Sequence, residues 1–214
     1  MKRTNLENPT TNSPEVNAPR RRMLEAIPVI AAAGFLWKPA AAAQNGVGRG
    51  SRLAVDVACL GHTLALNFAG AVFDPFNSGD FRGASFLVEG ALYPAGTIPA
   101  GDGFDPGSAS GQMMGHWLCR GWLMFNDDRP APHAITTQEY LLGVISAGQP
   151  SPPDTIVSSG VEGAVQFAHR AIVGGSGQYR NAGGHVVQET TGTNTTTVNV
   201  FGIPAPNFRF HFDF

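Results

Sequence analysis

Lysine is almost absent from this 214-residue chain, and its two lysines, Lys2 and Lys38, both lie in the first 43 residues. Residues 44–214 carry eight arginines against thirteen acidic residues, a formal net charge of −5. Nucleic acids and anionic membranes select for cationic patches, so this balance argues against both as partners. It also excludes a phosphate-binding P-loop from residues 44–214, because that motif needs a lysine.

Cysteine is scarce as well, since Cys59 and Cys119 are the only two. They form neither a C-x-x-C redox motif nor a zinc-binding spacing. Two alternatives remain for the pair: one disulfide in an oxidising compartment, or two buried free thiols.

His211 and Asp213 share a strand face, but none of the six histidines has a diagnostic ligand spacing. We therefore expect neither a metal ion nor another cofactor.

Helical periodicity is missing after residue 50, where apolar runs alternate with clusters of Gly, Pro, Asn and Asp. In Asn207–Phe214 a phenylalanine occupies every second position, which predicts a strand with one buried aromatic face. The same signals predict strands, some of them halves of one bent strand, at Arg52–Cys59, Leu64–Phe68, Gly83–Tyr93, His116–Phe125, Ile135–Val144, Thr155–Val161, Val165–Val173, His185–Thr191, Thr196–Phe201 and Asn207–Phe214. Many even strands without edge-protecting lysines favour an all-β fold closed into a single antiparallel barrel.

Residues 1–43 have the order of a cleavable export signal. Three arginines, Arg20, Arg21 and Arg22, precede the short, alanine-rich apolar run Met23–Trp37, and small residues precede Gln44. This order resembles a twin-arginine signal, and the apolar run is too short for a stable membrane anchor. We expect residues 44–214 to form one exported domain, periplasmic or extracellular. The alternative is a disordered arm that is never cut.

Two long connections interrupt the strands, Pro94–Gly115 and Ser146–Asp154. The first lacks any periodicity and is long for a connection in a compact domain. Two interpretations remain open for it: a lid over a barrel mouth, or a disordered surface insertion.

The glycine-rich segment Ala171–Glu189 invites comparison with a nucleotide-binding loop. A dinucleotide fingerprint needs a third glycine where Arg180 stands, and it needs a following helix, whereas another strand follows here. The missing helix also excludes a hydrolase nucleophile elbow. We therefore predict a structural turn between two strands, formed by Gly174, Gly175, Gly177 and Tyr179.

The same segment carries a family resemblance. "RAIVGGSGQYRNAGGHVVQE" resembles the glycine signature of the allene oxide cyclase and dirigent barrel superfamily, and "GHWLCRGWLMF", "PHAITTQEYLLG" and "NFRFHFDF" resemble bacterial members. The resemblance implies an eight-stranded antiparallel barrel with an apolar central cavity, and a trimer, as in the plant members. The superfamily isomerises a fatty-acid epoxide or steers the coupling of phenoxy radicals, so it implies an apolar small molecule as the ligand.

The family's functional residues match this sequence less well than its fold does. Asp56 is placed like the acidic residue on the first strand of dirigent proteins, but Val55 replaces the histidine that precedes it there. We expect polar residues that alternate with bulky apolar neighbours to face the barrel interior. These are the predicted catalytic residues Asp56, Glu89 and Arg120 and the predicted ligand-binding residues Tyr93 and His169. A structural Glu89–Arg120 ion pair, or exposure to solvent, is the alternative, because a one-residue slip exchanges the two faces.

The predicted barrel is compatible with two main functions. The first is an exported barrel that binds an apolar small molecule and guides its isomerisation or cyclisation, an enzyme only in that case. The second is a non-catalytic structural or binding protein whose barrel is filled by side chains, which the 14 phenylalanines favour. A cavity of about a few hundred Å3, lined by a carboxylate and a hydrogen-bond donor, would indicate the first. A weaker third is binding of cell-envelope polymers through Trp117 or Trp122.

Overall fold

The structure is a computed structural model that describes residues 50–71, 80–124, 126, 133–143, 154–163 and 165–214. The predicted export segment, residues 1–43, lies outside the described residues, and so does most of the predicted connection Ser146–Asp154. Among the described residues, no helix has the length and apolar character needed to cross a membrane.

The described part of the chain consists of strands joined by turns. In chain order the strands are β1 (Arg52–Cys59), β2 (Ala65–Asn67), β3 (Ser85–Pro94), β4 (Gly115–Leu123), β5 (Ala134–Leu142), β6 (Asp154–Glu162), β7 (Phe167–Ser176), β8 (Gly184–Val198) and β9 (Ile203–Asp213). Single turns of 3-10 helix occur at Gly61–Thr63, Ser110–Gln112 and Gly177–Tyr179. The described part of the chain contains no α-helix. The prediction of an all-β fold is confirmed.

Eight strands close into an antiparallel barrel. The ring runs β1-β9-β8-β7-β6-β5-β4-β3, and β3 returns to β1 along the pairs from Val55↔Pro94 to Cys59↔Gly90. The short β2 pairs only with the start of β3 and lies outside the ring. Closure leaves the ring without a free edge, so its strands need no edge-protecting lysines. The predicted eight-stranded barrel is therefore confirmed. The strands expected at His185–Thr191 and Thr196–Phe201 are one bent strand, β8, with two shifts of register.

One half of the barrel interior is filled by aromatic side chains. The Tyr140 ring lies 5.0 Å from that of Phe210 and 4.8 Å from that of Phe212, and Trp117 lies 5.9 Å from Phe208. Gly90 makes room for this packing, because a Cβ there would lie 2.8 Å from the Trp117 ring. Burial of each such ring contributes about 1.5–3 kcal/mol, so this aromatic layer holds the barrel together.

The connection Pro94–Gly115 is ordered and packs against the side of the barrel. The amide of Gly101 donates to Thr191 O at 2.8 Å, and that of Gly103 donates to Thr193 O at 3.0 Å. Ile98 and Ala109 form a small apolar cluster with Tyr93 and Ala58 on the outside of β1 and β3. The expectation of a disordered insertion is wrong, because the segment has both backbone pairing and a core of its own.

The turn between β7 and β8 begins at Gly177 and includes Tyr179, as predicted. Gly174 and Gly175 were also predicted in this turn, but they lie in β7 and pair with β6. Gly177 has a φ of 58°, in the left-handed region that glycine adopts without strain. A Cβ at Gly175 would lie 2.4 Å from the carbonyl oxygen of Thr155, so a side chain does not fit there. Tyr179 is buried and stacks on the ring of Phe214, with the ring centroids 5.5 Å apart.

Candidate functional site

The residues predicted to face the barrel interior lie on its outside. Glu89, Arg120 and His169 are exposed, and in each case the neighbouring strand residue is the one that points inward. Arg120 pairs with Glu139 at 2.6 Å, and the register places Leu118 opposite Glu89. The expected inward orientation is wrong by the one-residue slip that exchanges the two faces. The predicted roles of these residues stay predictions.

Asp56 and Tyr93 also point outward, but the segment Pro94–Gly115 covers them. Asp56 Oδ2 accepts hydrogen bonds from the amides of Gly96 at 2.8 Å and Ile98 at 2.9 Å. Arg209 Nε donates to Asp56 Oδ1 at 2.7 Å, and this pairing raises the pKa of Arg209. The Tyr93 hydroxyl donates to Pro106 O at 3.3 Å, and burial raises its pKa. Both side chains thus fasten the covering segment to the barrel.

A different set of polar side chains lies inside the barrel, between the aromatic layer and one mouth. We call it the inner polar cluster, and its members all interrupt otherwise apolar inward positions. They are Cys119 on β4, Thr136 and Gln138 on β5, Ser158 and Glu162 on β6, Arg170 on β7 and Gln188 on β8. None of them was selected from the sequence as a site residue.

Arg170 is the buried cation of this cluster, with no exposed side-chain surface. Its Nη1 donates to Thr136 Oγ1 at 2.7 Å and to Glu162 Oε1 at 3.1 Å. Its Nε donates to Ser158 Oγ at 3.0 Å, and its Nη2 donates to Thr136 O at 3.1 Å. Because protein groups already occupy these donors, the charge of Arg170 is compensated inside the barrel.

Glu162 is bound asymmetrically. Its Oε1 accepts hydrogen bonds from Gln138 Nε2, from Arg170 Nη1, from Thr136 Oγ1 at 3.2 Å and from Cys119 Sγ at 3.7 Å. Its Oε2 receives no hydrogen bond from the described residues. The carboxylate is therefore fixed in direction by one oxygen and offers the other as an acceptor.

A cavity of about 480 Å3 opens at this end of the barrel, and we call it the mouth pocket. Its polar lining includes Glu162 and Gln188, and its apolar walls include Val165, Ala168 and Phe208. No residue of the segment Pro94–Gly115 lines it. The sequence left two alternatives for the interior, a filled barrel and a cavity lined by a carboxylate. The structure has both, because side chains fill one half and the other half ends in a cavity with a carboxylate.

A larger groove of about 740 Å3 lies on the outer face, over β2 to β5. It is lined by Leu87, Arg120 and Trp122, among others, and Trp122 is 59% exposed. The charge of Arg120 is already paired with Glu139 on this open surface. The mouth pocket is the stronger candidate site, because it alone of the two contains a largely buried carboxylate with an unused oxygen.

The two cysteines are buried free thiols in this structure. Burial raises the pKa of Cys59 to about 12 and raises that of Cys119 well above its ordinary value, with the Glu162 charge adding to both shifts. Such thiols stay protonated near neutral pH and are poor nucleophiles.

Burial likewise raises the pKa of Tyr140, whose hydroxyl donates to Gln138 Oε1 at 2.5 Å. In the described ranges no group of three His, Cys, Asp or Glu side chains could hold a metal ion.

Comparison with known proteins identifies the fold. No family model matches the chain, and no curated protein matches its sequence. Two solved structures of pterocarpan synthase dirigent proteins, GePTS1 and PsPTS1, are 10% and 11% identical, each with a TM-score of 0.51 over 76% of this chain. The matches cover 82% of the first and 92% of the second. A pyocyanin demethylase covers 75% of this chain and 98% of its own, at 13% identity and a TM-score of 0.44.

The two dirigent structures define the class of fold. The chain forms a dirigent-like barrel, as the glycine signature predicted. At such low identity the dirigent structures show the architecture alone, because one fold carries many functions.

Proposed function

We propose that the protein binds an uncharged, largely apolar small molecule in the mouth pocket, with Glu162 contacting its polar group. One observation carries this proposal: protein donors hold Glu162 Oε1, whereas Oε2 has no partner among the described residues and the carboxylate lines the pocket. A pre-oriented acceptor in an apolar cavity is a typical arrangement for a small-molecule site.

The charges of the cluster support an uncharged ligand. Arg170 balances the charge of Glu162, so the pair as a whole attracts neither sign strongly. The guanidinium lies behind the carboxylate and does not line the pocket. An anionic ligand would meet the carboxylate first, and no lysine or arginine of the described residues lines the pocket to pair with it.

Isomerisation or cyclisation is the catalytic form of the same proposal. In an isomerisation, a proton leaves a carbon next to a carbonyl group for Glu162 Oε2 and returns to another carbon of the same molecule. Composition and oxidation state are unchanged, so the step needs no oxidant, reductant or cofactor. The apolar walls would hold the ligand in one reactive conformation.

The second candidate function is a non-catalytic barrel with a filled interior. The aromatic layer of Trp117, Tyr140, Phe208, Phe210 and Phe212 favours it, because these rings leave that half of the barrel to side chains. In this case the inner polar cluster would serve only to satisfy the buried charge of Arg170. Occupancy of the mouth pocket separates the two functions.

Filling the mouth pocket should abolish binding. In the full chain, Ala168→Phe places a ring in the cavity and leaves Glu162 and Arg170 unsubstituted, whereas Ala171→Phe places the same ring on the exposed side of β7. We expect the fluorescence of the uncharged probe N-phenyl-1-naphthylamine to rise to saturation with the unaltered chain and with Ala171→Phe. It should stay at background with Ala168→Phe. Equal binding by all three, with unchanged circular dichroism, would place the probe elsewhere.

Export through the twin-arginine route is a further proposal, and it rests on residues 1–43 alone. We expect a chain with Arg21→Lys and Arg22→Lys to stay in the cytoplasm, because that pathway discriminates between the two cations. Cell fractionation against the unaltered chain measures this, and undiminished export of the variant rules out the twin-arginine route. The trimer that the family resemblance implies also stays a prediction.

A further inference from the structure

We infer that Gln188 is a specificity-determining residue, and that with Glu162 it selects ligands carrying a hydrogen-bond donor and an acceptor side by side, as on the edge of a cyclic amide. This inference rests on the proposed binding function of the mouth pocket. It follows from the donors and acceptors of the inner polar cluster, read in order from Glu162.

Glu162 fixes the orientation of the Gln138 amide. A carboxylate oxygen can only accept, so the Gln138 atom that contacts Glu162 Oε1 has to be the amide nitrogen. The other side of the amide agrees, because the Tyr140 hydroxyl donates to Gln138 Oε1 at 2.5 Å. Glu162 and Tyr140 thus leave the Gln138 amide a single orientation.

Gln138 in turn orients the Gln188 amide. Gln138 Nε2 has two hydrogens, and the second is donated to Gln188 Oε1 at 3.0 Å. The oxygen of the Gln188 amide therefore faces Gln138, and its nitrogen faces away. Gln188 is only 6% exposed, it lines the mouth pocket, and its Nε2 has no partner among the described residues.

The pocket consequently offers one acceptor and one donor at the same wall. Glu162 and Gln188 both contact the single nitrogen of Gln138, so the free Glu162 Oε2 and the free Gln188 Nε2 belong to neighbouring groups. A ligand carbonyl in the pocket would accept a hydrogen bond from Gln188 Nε2. A ligand N–H next to that carbonyl would satisfy Glu162 Oε2. A ligand carboxylate would bring two acceptors to this wall and would be repelled.

Four probes of similar size test the inference by displacing N-phenyl-1-naphthylamine from the full chain. They are 2-quinolone with adjacent N–H and C=O groups, N-methyl-2-quinolone with the acceptor alone, indole with the donor alone, and naphthalene with neither. At about fivefold in affinity for each hydrogen bond, 2-quinolone should bind about twenty-five-fold more tightly than naphthalene, with the other two between.

Gln188→Met removes the amide at nearly constant size, and the exposed Gln112→Met is the matched control. We expect Gln188→Met to reduce the affinity of 2-quinolone to that of indole and to erase the advantage of N-methyl-2-quinolone over naphthalene. Gln112→Met should change neither. Equal affinity of all four probes for the unaltered chain would overturn the inference and leave the proposed binding function in place. Because this comparison uses the unaltered chain, it tests the inference even if Gln188→Met does not fold. Binding of no probe would overturn the binding function itself.

Discussion

Glu162→Met should lower the free energy of unfolding by about 3–5 kcal/mol, because it leaves the buried guanidinium of Arg170 without its counter-charge. In a domain of this size, such a loss corresponds to a fall in Tm of roughly 10 °C. Replacing both partners, Glu162→Met with Arg170→Met, should recover the part of the loss that comes from the uncompensated charge, whereas Gln138 and Ser158 still lose their partners. Urea unfolding of the unaltered chain, of the single variants Glu162→Met and Arg170→Met, and of the double variant forms a double-mutant cycle that measures the coupling.

Glu139→Met is the control for this cycle. It breaks the Arg120–Glu139 pair on the outer face, where the Arg120 side chain is 63% exposed, so it should cost less than about 1 kcal/mol. A loss at Glu162 no larger than the loss at Glu139 would show that the inner pair is not buried as described.

The second large effect concerns proton transfer. With the uncharged ketone 2-tetralone as the probe, the unaltered chain should accelerate exchange of the protons next to the carbonyl group with solvent deuterium. Glu162→Gln should reduce this acceleration about a hundredfold, because the amide retains an acceptor for Arg170 but no longer takes up a proton. Nuclear magnetic resonance follows the loss of the proton signal directly.

Two controls keep this result interpretable. Glu189→Gln makes the same chemical change one residue from Gln188 on the opposite face of β8, and it should leave the exchange unchanged. Binding of N-phenyl-1-naphthylamine reports whether the pocket of Glu162→Gln is intact. An exchange rate that Glu162→Gln does not alter contradicts the catalytic form of the proposal. An unaltered chain that binds the probe but accelerates no exchange contradicts it too, and leaves the binding function in place.

The architecture was accessible from the sequence because it depends on a local signal. Alternation with a period of two defines the strands, and the aromatic positions of Asn207–Phe214 do line the interior. The missing helical period predicted an all-β fold. The absence of edge-protecting lysines favoured a closed barrel, and the ring is closed. The glycine signature predicted the dirigent-like barrel that the solved structures share.

The candidate site was missed because alternation defines two faces without saying which is inside. On β1, Asp56 alternates with Val55 and Val57, and the valines point inward. Asp56 is nevertheless buried, because a distant segment covers the outside of that strand. Burial of both faces cannot be read from a strand alone when the covering segment lacks periodicity.

Two sequence signals could have indicated the inner polar cluster. Thr136, Gln138 and Tyr140 recur with a period of two on one strand, in the register of a buried face. Glu162 and Arg170 flank a short connection between two strands, and a hairpin there places opposite charges near each other, as the pair Gly160↔Arg170 shows. The contact between Gln138 on β5 and Gln188 on β8 depends on the closed ring, which the local pattern does not specify.

A crystal structure of the full chain grown with N-phenyl-1-naphthylamine tests the central claim most directly. We expect electron density for the probe in the mouth pocket, with its amine nitrogen within hydrogen-bond distance of Glu162 Oε2 and its rings against Ala168 and Phe208. A saturating probe found instead in the outer groove beside Trp122, with the mouth pocket empty, would contradict the account.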